Sequence, residues 1–94
     1  MFSGIVEEYA TVVALEKEQE NLHITMTCSF ADMLKVDQSV SHNGVCLTVV
    51  KVNKKKKTYT VTAIRETLDK TNLGLLTAGS KVNLERSMTM DKLL

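Results

Sequence analysis

Proline is absent from these 94 residues. Chain reversals must therefore fall to Gly4, Gly44, Gly74 and Gly79, to asparagines and to charged loop tips. Only two cysteines occur, Cys28 and Cys46, and they carry no metal-ligand spacing. No apolar run approaches the roughly 20 residues of a membrane-spanning helix, and Met1-Phe2-Ser3-Gly4 lacks the basic start of a secretory signal. Together these absences point to a reducing, cytoplasmic setting with both thiols free and no membrane partner. Charge of either sign is lacking in excess: 12 basic side chains face 11 acidic ones, for a net +1. Such balance offers nucleic acid no global attraction. Aromatics are few, and Phe2, Tyr9, Phe30 and Tyr59 are scattered rather than set along a basic groove for stacking bases. The four lysines at 54–57 read as a solvated hairpin tip that keeps a strand end from aggregating. The competing reading, an oligonucleotide-binding barrel using that tip, has little else to support it.

What is present is one domain with one core. A chain of this size buries only roughly 60–65% of its unfolded surface, which favours self-association. Residues 5–15 are rich in Val and Thr and read as a first strand, and residues 16–21 as a polar connection. Residues 22–28 alternate, with Leu22, Ile24, Met26 and Cys28 on one face and His23, Thr25 and Thr27 on the other. His23 thus reads as a solvent-facing strand residue and Cys28 as a core thiol. Ser29 and Asp32 have the form of a capping box for a short helix burying Phe30, Met33 and Leu34. Residues 45–52 and 58–64 read as two further strands, and 65–74 as a helix stopping at Asn72 or Gly74. Residues 81–87 form a last strand, with Val82, Leu84 and Arg86 on one face. About six strands with frequent turn signals predict an antiparallel barrel, because closure removes both hydrogen-bonding edges of a small sheet.

The densest run of small polar groups is Ser39-Val40-Ser41-His42-Asn43-Gly44-Val45-Cys46-Leu47-Thr48. Strand geometry puts Cys46 and Thr48 on one face and Leu47 on the other. His42, just before the Asn43-Gly44 turn, reads as a turn residue.

Four segments resemble the riboflavin synthase family. Met1-Phe2-Ser3-Gly4-Ile5-Val6-Glu7 is similar to that family's MFTGIVE start. Residues 39–49 resemble SVA-x-NG-x-CLTV, residues 66–74 resemble ETL-x-x-TNLG, and residues 79–86 resemble G-x-x-VN-x-ER. The resemblance implies a closed six-stranded antiparallel Greek-key β-barrel over residues 1–87, capped by one or two short helices. Residues 88–94 would then be a linker toward a second barrel, as in the family's tandem of two.

The family's reaction is the dismutation of two 6,7-dimethyl-8-ribityllumazine molecules. A four-carbon unit passes between them, yielding riboflavin and 5-amino-6-ribitylamino-uracil, with no metal or organic cofactor. By resemblance, Gly4, Ile5 and Val6 lie at the ligand interface, and Cys46, Leu47 and Thr48 lie against the pteridine and its side chain. Thr62, Ala63, Ile64, Arg65, Glu66 and Thr67 would run along the ring and ribityl chain. Ser39 and Cys46 match polar residues near the reacting methyl group, where a carbon-bound proton must be removed. A small Ala63 would let the ring approach the backbone.

Each assignment has a plainer rival. Cys46 could be a small buried apolar residue, Ser39 and Thr67 turn and cap residues, and Glu66 a first-turn acid favoured by the helix dipole. The resemblance further implies a homodimer of the single domain and a homotrimer of the two-barrel enzyme. The isolated domain is expected to bind ligand with weak or absent turnover. A non-catalytic lumazine or flavin carrier is the alternative.

Overall fold

Six stretches of alternating burial become six strands in the computed structural model, which describes residues 8–86. They are β1 (Glu8–Glu18), β2 (Asn21–Thr27), β3 (Ser39–His42), β4 (Val45–Asn53), β5 (Thr58–Ala63) and β6 (Lys81–Arg86). All pair antiparallel, and the order β1-β2-β5-β4-β3-β6 closes on itself through β6 against β1. Three of the links are hairpins, while β2 to β3 and β5 to β6 cross the barrel ends, which gives the Greek-key connectivity. The expected closed six-stranded barrel is thus the fold. The inner face is filled by side chains such as Ile24, Met26, Val49, Tyr59, Val61 and Leu84, each at most 1% exposed.

Two strands break the alternation and then resume it. The β1–β2 register shifts between Val12 and Ala14, and the β4–β5 register between Val49 and Lys51. In each case one valine is extra, so Val13 and Val50 turn outward after Val12 and Val49 turn inward. The β-bulge resets the phase, and Leu15 and Val52 return to pack against the core. This reset carries β1 to Glu18, past the expected end at residue 15. Gln19, with φ of 55°, then turns the chain in a tight hairpin.

The Asn43-Gly44 hairpin has φ of 51° and 85° at its two central residues, the backbone that favours this pair in two-residue loops. Asn43 does more than tolerate the turn. Its Oδ1 accepts from the Asn83 amide at 2.8 Å, and its own amide donates to the Asn83 carbonyl at 2.9 Å, tying the β3–β4 turn to β6.

The capping box expected at Ser29 does not form. Ala31–Met33 make a single 3-10 turn with no side-chain cap. Barrel closure brings Glu8 alongside, and the Ser29 amide donates to its Oε2 at 2.7 Å while the Ser29 hydroxyl donates to Oε1. A charge-assisted acceptor outcompetes the local backbone. Phe30 and Leu34 are buried as expected, but Met33 is exposed. The helix at residue 65 is also shorter than expected: α1 (Arg65–Lys70) is followed by a separate 3-10 turn at Leu73–Leu75. Residues 88–94, read as a linker, lie outside the described residues.

Candidate functional site

The outer face of β3 and β4 carries the polar run. Ser39 lies opposite Thr48 and Ser41 opposite Cys46 in the register, so the two serines, the thiol and the threonine form one cross-strand block. Cys46 and Thr48 are exposed and Ser39 is half-buried. Ser41 in turn faces the nearly buried Glu85 across β6.

Next to this block the sheet opens. The β4–β5 ladder ends at Val49 opposite Val61, whereas the β2–β5 ladder continues to Leu22 opposite Ala63. Thr62 and Ala63 therefore extend beyond the last β4 partner, with Thr62 on the outer face. One strand edge remains paired and the other faces a seam beside Thr48. Chain continuity adds the exposed Ile64 and then α1, which carries Glu66 and the half-buried Thr67.

The structure thus gathers Ser39, Cys46 and Thr48 on one side of the seam and Thr62 on the other. Two of the expected residues turn their side chains the other way. Leu47 and Ala63 point into the core, at 5% and 0% exposure, so their side chains cannot meet anything on the outer face. What they offer there is backbone alone. Arg65 is drawn to Glu20 at 2.7 Å and to Asp69 at 3.7 Å, and Glu66 is paired with Lys70 at 2.9 Å. These are exposed pairs of low energetic weight, so Glu66 can exchange partners at little cost. Gly4, Ile5 and Val6 lie outside the described residues.

The two histidines have partners that the sequence alone did not show, and His42 differs in place as well. His42 is fully buried, not a turn residue. Its Nδ1–H donates to the Val40 carbonyl and its Nε2 accepts the Tyr59 hydroxyl, both at 2.9 Å. Burial pushes its pKa down from 6.5 to about 4, so it is neutral at physiological pH. His23, on the outer face of β2, bridges Glu18 and the hydroxyl of Thr62 at 2.9 and 2.8 Å. Neither role has a local signal, because Tyr59 and Thr62 arrive from β5 only when the barrel closes.

The two thiols differ. Cys28 is buried, and that burial pushes its pKa up to about 11, so it stays protonated and inert. Cys46 is a free, exposed thiol. Among the described residues no cluster of three or more His, Cys, Asp or Glu is arranged to hold a metal ion, and no helix is long and apolar enough to cross a membrane. Surface concavities lie elsewhere on the barrel, lined by none of Ser39, Cys46, Thr48 or Thr62. A groove of about 410 Å³ between the two bulges, floored by Thr25 and Thr60 and walled by Val50 and Lys51, reaches His23. The polar block itself is a shallow face.

Comparison with known proteins bears on what this face is. Riboflavin synthase of Bacillus subtilis (strain 168) is 40% identical over 89 residues, covering 94% of this chain and 40% of the relative. Riboflavin synthase of Escherichia coli (strain K12) is 39% identical over 89 residues, covering 93% of this chain and 41% of the relative. The chain thus spans about two-fifths of the length of the curated relatives it matches. Among solved structures, LumP complexed with 6,7-dimethyl-8-(1'-D-ribityl) lumazine superposes with a TM-score of 0.84 at 24% identity, over 96% of this chain and 49% of the other. LumP complexed with riboflavin gives 0.83 at 22%, over 96% and 50%. At such identities the likeness establishes the barrel fold. The family model described as "Lumazine binding domain" matches residues 3–87, nearly the whole chain, and the protein belongs to that family.

Proposed function

We propose that this barrel binds a ribityl-substituted lumazine or flavin on its outer face, along the seam between β4 and β5. The observation that carries the reading is the early end of the β4–β5 ladder at Val49 opposite Val61. Beyond it, β5 backbone at Thr62 and Ala63 keeps its β2 partner but has no ladder partner on β4. A pteridine imide edge alternates donors and acceptors, and an unpaired strand edge presents the complementary row. Thr48 and Thr67 are hydroxyl partners for a ribityl chain, and Glu66 a carboxylate partner. Ser39 and Cys46 stand at the reacting end.

Within a two-barrel chain the same site would serve riboflavin synthesis from two lumazines, a four-carbon unit moving from one to the other. The relatives named riboflavin synthase and the family match support that role. Its chemistry needs two substrates held together, which replaces a chance encounter with an oriented pair. One shallow face supplies half of that arrangement. We therefore assign residues 1–87 to the barrel and 88–94 to a linker, with Gly4, Ile5 and Val6 meeting the ligand of a facing copy. The single domain is expected to dimerise in the cytoplasm and to turn over lumazine weakly or not at all; a full two-barrel chain would be a homotrimer.

A fluorescence titration with riboflavin tests the site directly. Saturable quenching that weakens in Thr48→Val and Glu66→Gln supports it, and quenching indifferent to both removes it. A lumazine-consumption assay separates the enzyme reading from a carrier, since robust riboflavin formation is incompatible with a non-catalytic protein.

A further inference from the structure

Three side chains from three strands meet on the outer face beside the proposed ligand seam. His23 Nε2 lies 2.9 Å from Glu18 Oε1, and His23 Nδ1 lies 2.8 Å from Thr62 Oγ1. The chemistry of these atoms orders every proton between them. A carboxylate only accepts, so Nε2 carries the hydrogen and donates to Glu18. The neutral ring then has a bare Nδ1, which must accept, and Thr62 must donate. The single proton of the Thr62 hydroxyl is committed to His23, and only oxygen lone pairs are left to face outward.

We infer that Glu18 and His23 are positioning residues that fix Thr62 as a hydrogen-bond acceptor toward the bound ligand. The site thereby selects an N–H or O–H at that point, meaning a ring imide or a polyol hydroxyl. This rests on the ligand placement proposed above. Without the relay a threonine hydroxyl rotates and accommodates either polarity. With it, a ligand presenting a bare carbonyl or ring nitrogen to Thr62 meets lone pair against lone pair.

The charged groups around His23 are Glu16, its register partner on β1, Glu18 near the end of that strand, and Lys51 of β4, which lines the same groove. On β5 its register partner is the hydroxyl residue Thr62.

Two measurements decide the matter. The nitrogen chemical shifts of His23 in the free protein report the tautomer, and we expect hydrogen on Nε2 and a bare Nδ1 at neutral pH. Hydrogen on Nδ1 overturns the relay. Riboflavin titrations then compare the unaltered protein with His23→Leu, Thr62→Val and the double variant. Each single change is expected to weaken binding roughly three- to tenfold. The double variant is expected to be no worse than Thr62→Val. Additive losses make His23 a structural residue and overturn the inference. Should His23→Leu unfold the barrel, Glu18→Ala at an exposed side chain, which removes the acceptor for Nε2–H, carries the same comparison. Failure of riboflavin to bind the unaltered protein removes instead the site reading, and the ligand-facing role of Thr62 with it.

Discussion

Acid should unfold this barrel through His42 before most of its carboxylates matter. Both ring nitrogens are satisfied in the neutral form, one by the Val40 carbonyl and one by the Tyr59 hydroxyl. The residue has no solvent exposure, so a proton added there creates a charge that water cannot reach. Folding lowers its pKa from 6.5 to about 4, and the unfolded chain therefore takes up the proton more readily than the folded one. The stability due to the neutral ring is fully present above pH 6.5 and drains away as the pH falls toward about 4. The lowering corresponds to about 3 kcal/mol, lost at up to about 1.4 kcal/mol per pH unit inside that window. For a domain whose total is on the order of 5–15 kcal/mol, this is a large share. Urea unfolding followed by far-ultraviolet circular dichroism at a series of pH values measures it. His42→Gln is less stable at neutral pH but should lose less stability on acidification, the carboxylate contribution being common to both proteins. Parallel pH profiles, or an NMR titration of His42 near the free-imidazole value, would refute the reasoning.

Three further outcomes follow from the same geometry. Tyr59→Phe removes the hydroxyl that His42 accepts while keeping the ring, and should cost about 1–2 kcal/mol in urea melts by leaving Nε2 unsatisfied; a neutral result would mean the hydrogen bond contributes nothing. Iodoacetamide under native conditions should label Cys46 and spare Cys28, whose thiol is buried and held protonated with a pKa of about 11, and peptide mass spectrometry locates the adduct. Asn43→Ala should destabilise the barrel by about 1–2 kcal/mol, since alanine resists the positive φ and cannot accept from Asn83; Asn43→Gly, which restores only the backbone freedom, should recover part of that loss.

Local pattern made much of the fold legible. Strict alternation over residues 22–28 marked β2 and sorted its faces correctly, because side chains on a strand point alternately whatever its partner is. The Asn43-Gly44 pair marked its hairpin for an equally local reason. The bulges were harder to see. Val12-Val13 and Val49-Val50 are doublets within otherwise alternating runs, a visible sign, but only the register against β2 and β5 shows that one valine of each pair is extra.

The candidate site divides along the same line. Chain order alone put Cys46 and Thr48 on one face and turned Leu47 to the other, a consequence of strand periodicity that the burial of Leu47 bears out. Ala63 could be placed on β5 from sequence, but that its methyl group faces the core depends on the same periodicity counted from Val61, and the resemblance drew attention to its size instead. The seam at Thr62, the bridge from Glu18 through His23, and the burial of His42 against Tyr59 belong to tertiary structure. The His23–Thr62 and His42–Tyr59 bonds join strands that are not consecutive in the chain, and barrel closure sets them together. Sequence therefore determined which residues could share a face of one strand. Closure decided which strands meet, and with that which polar groups find partners and which are left to face a ligand.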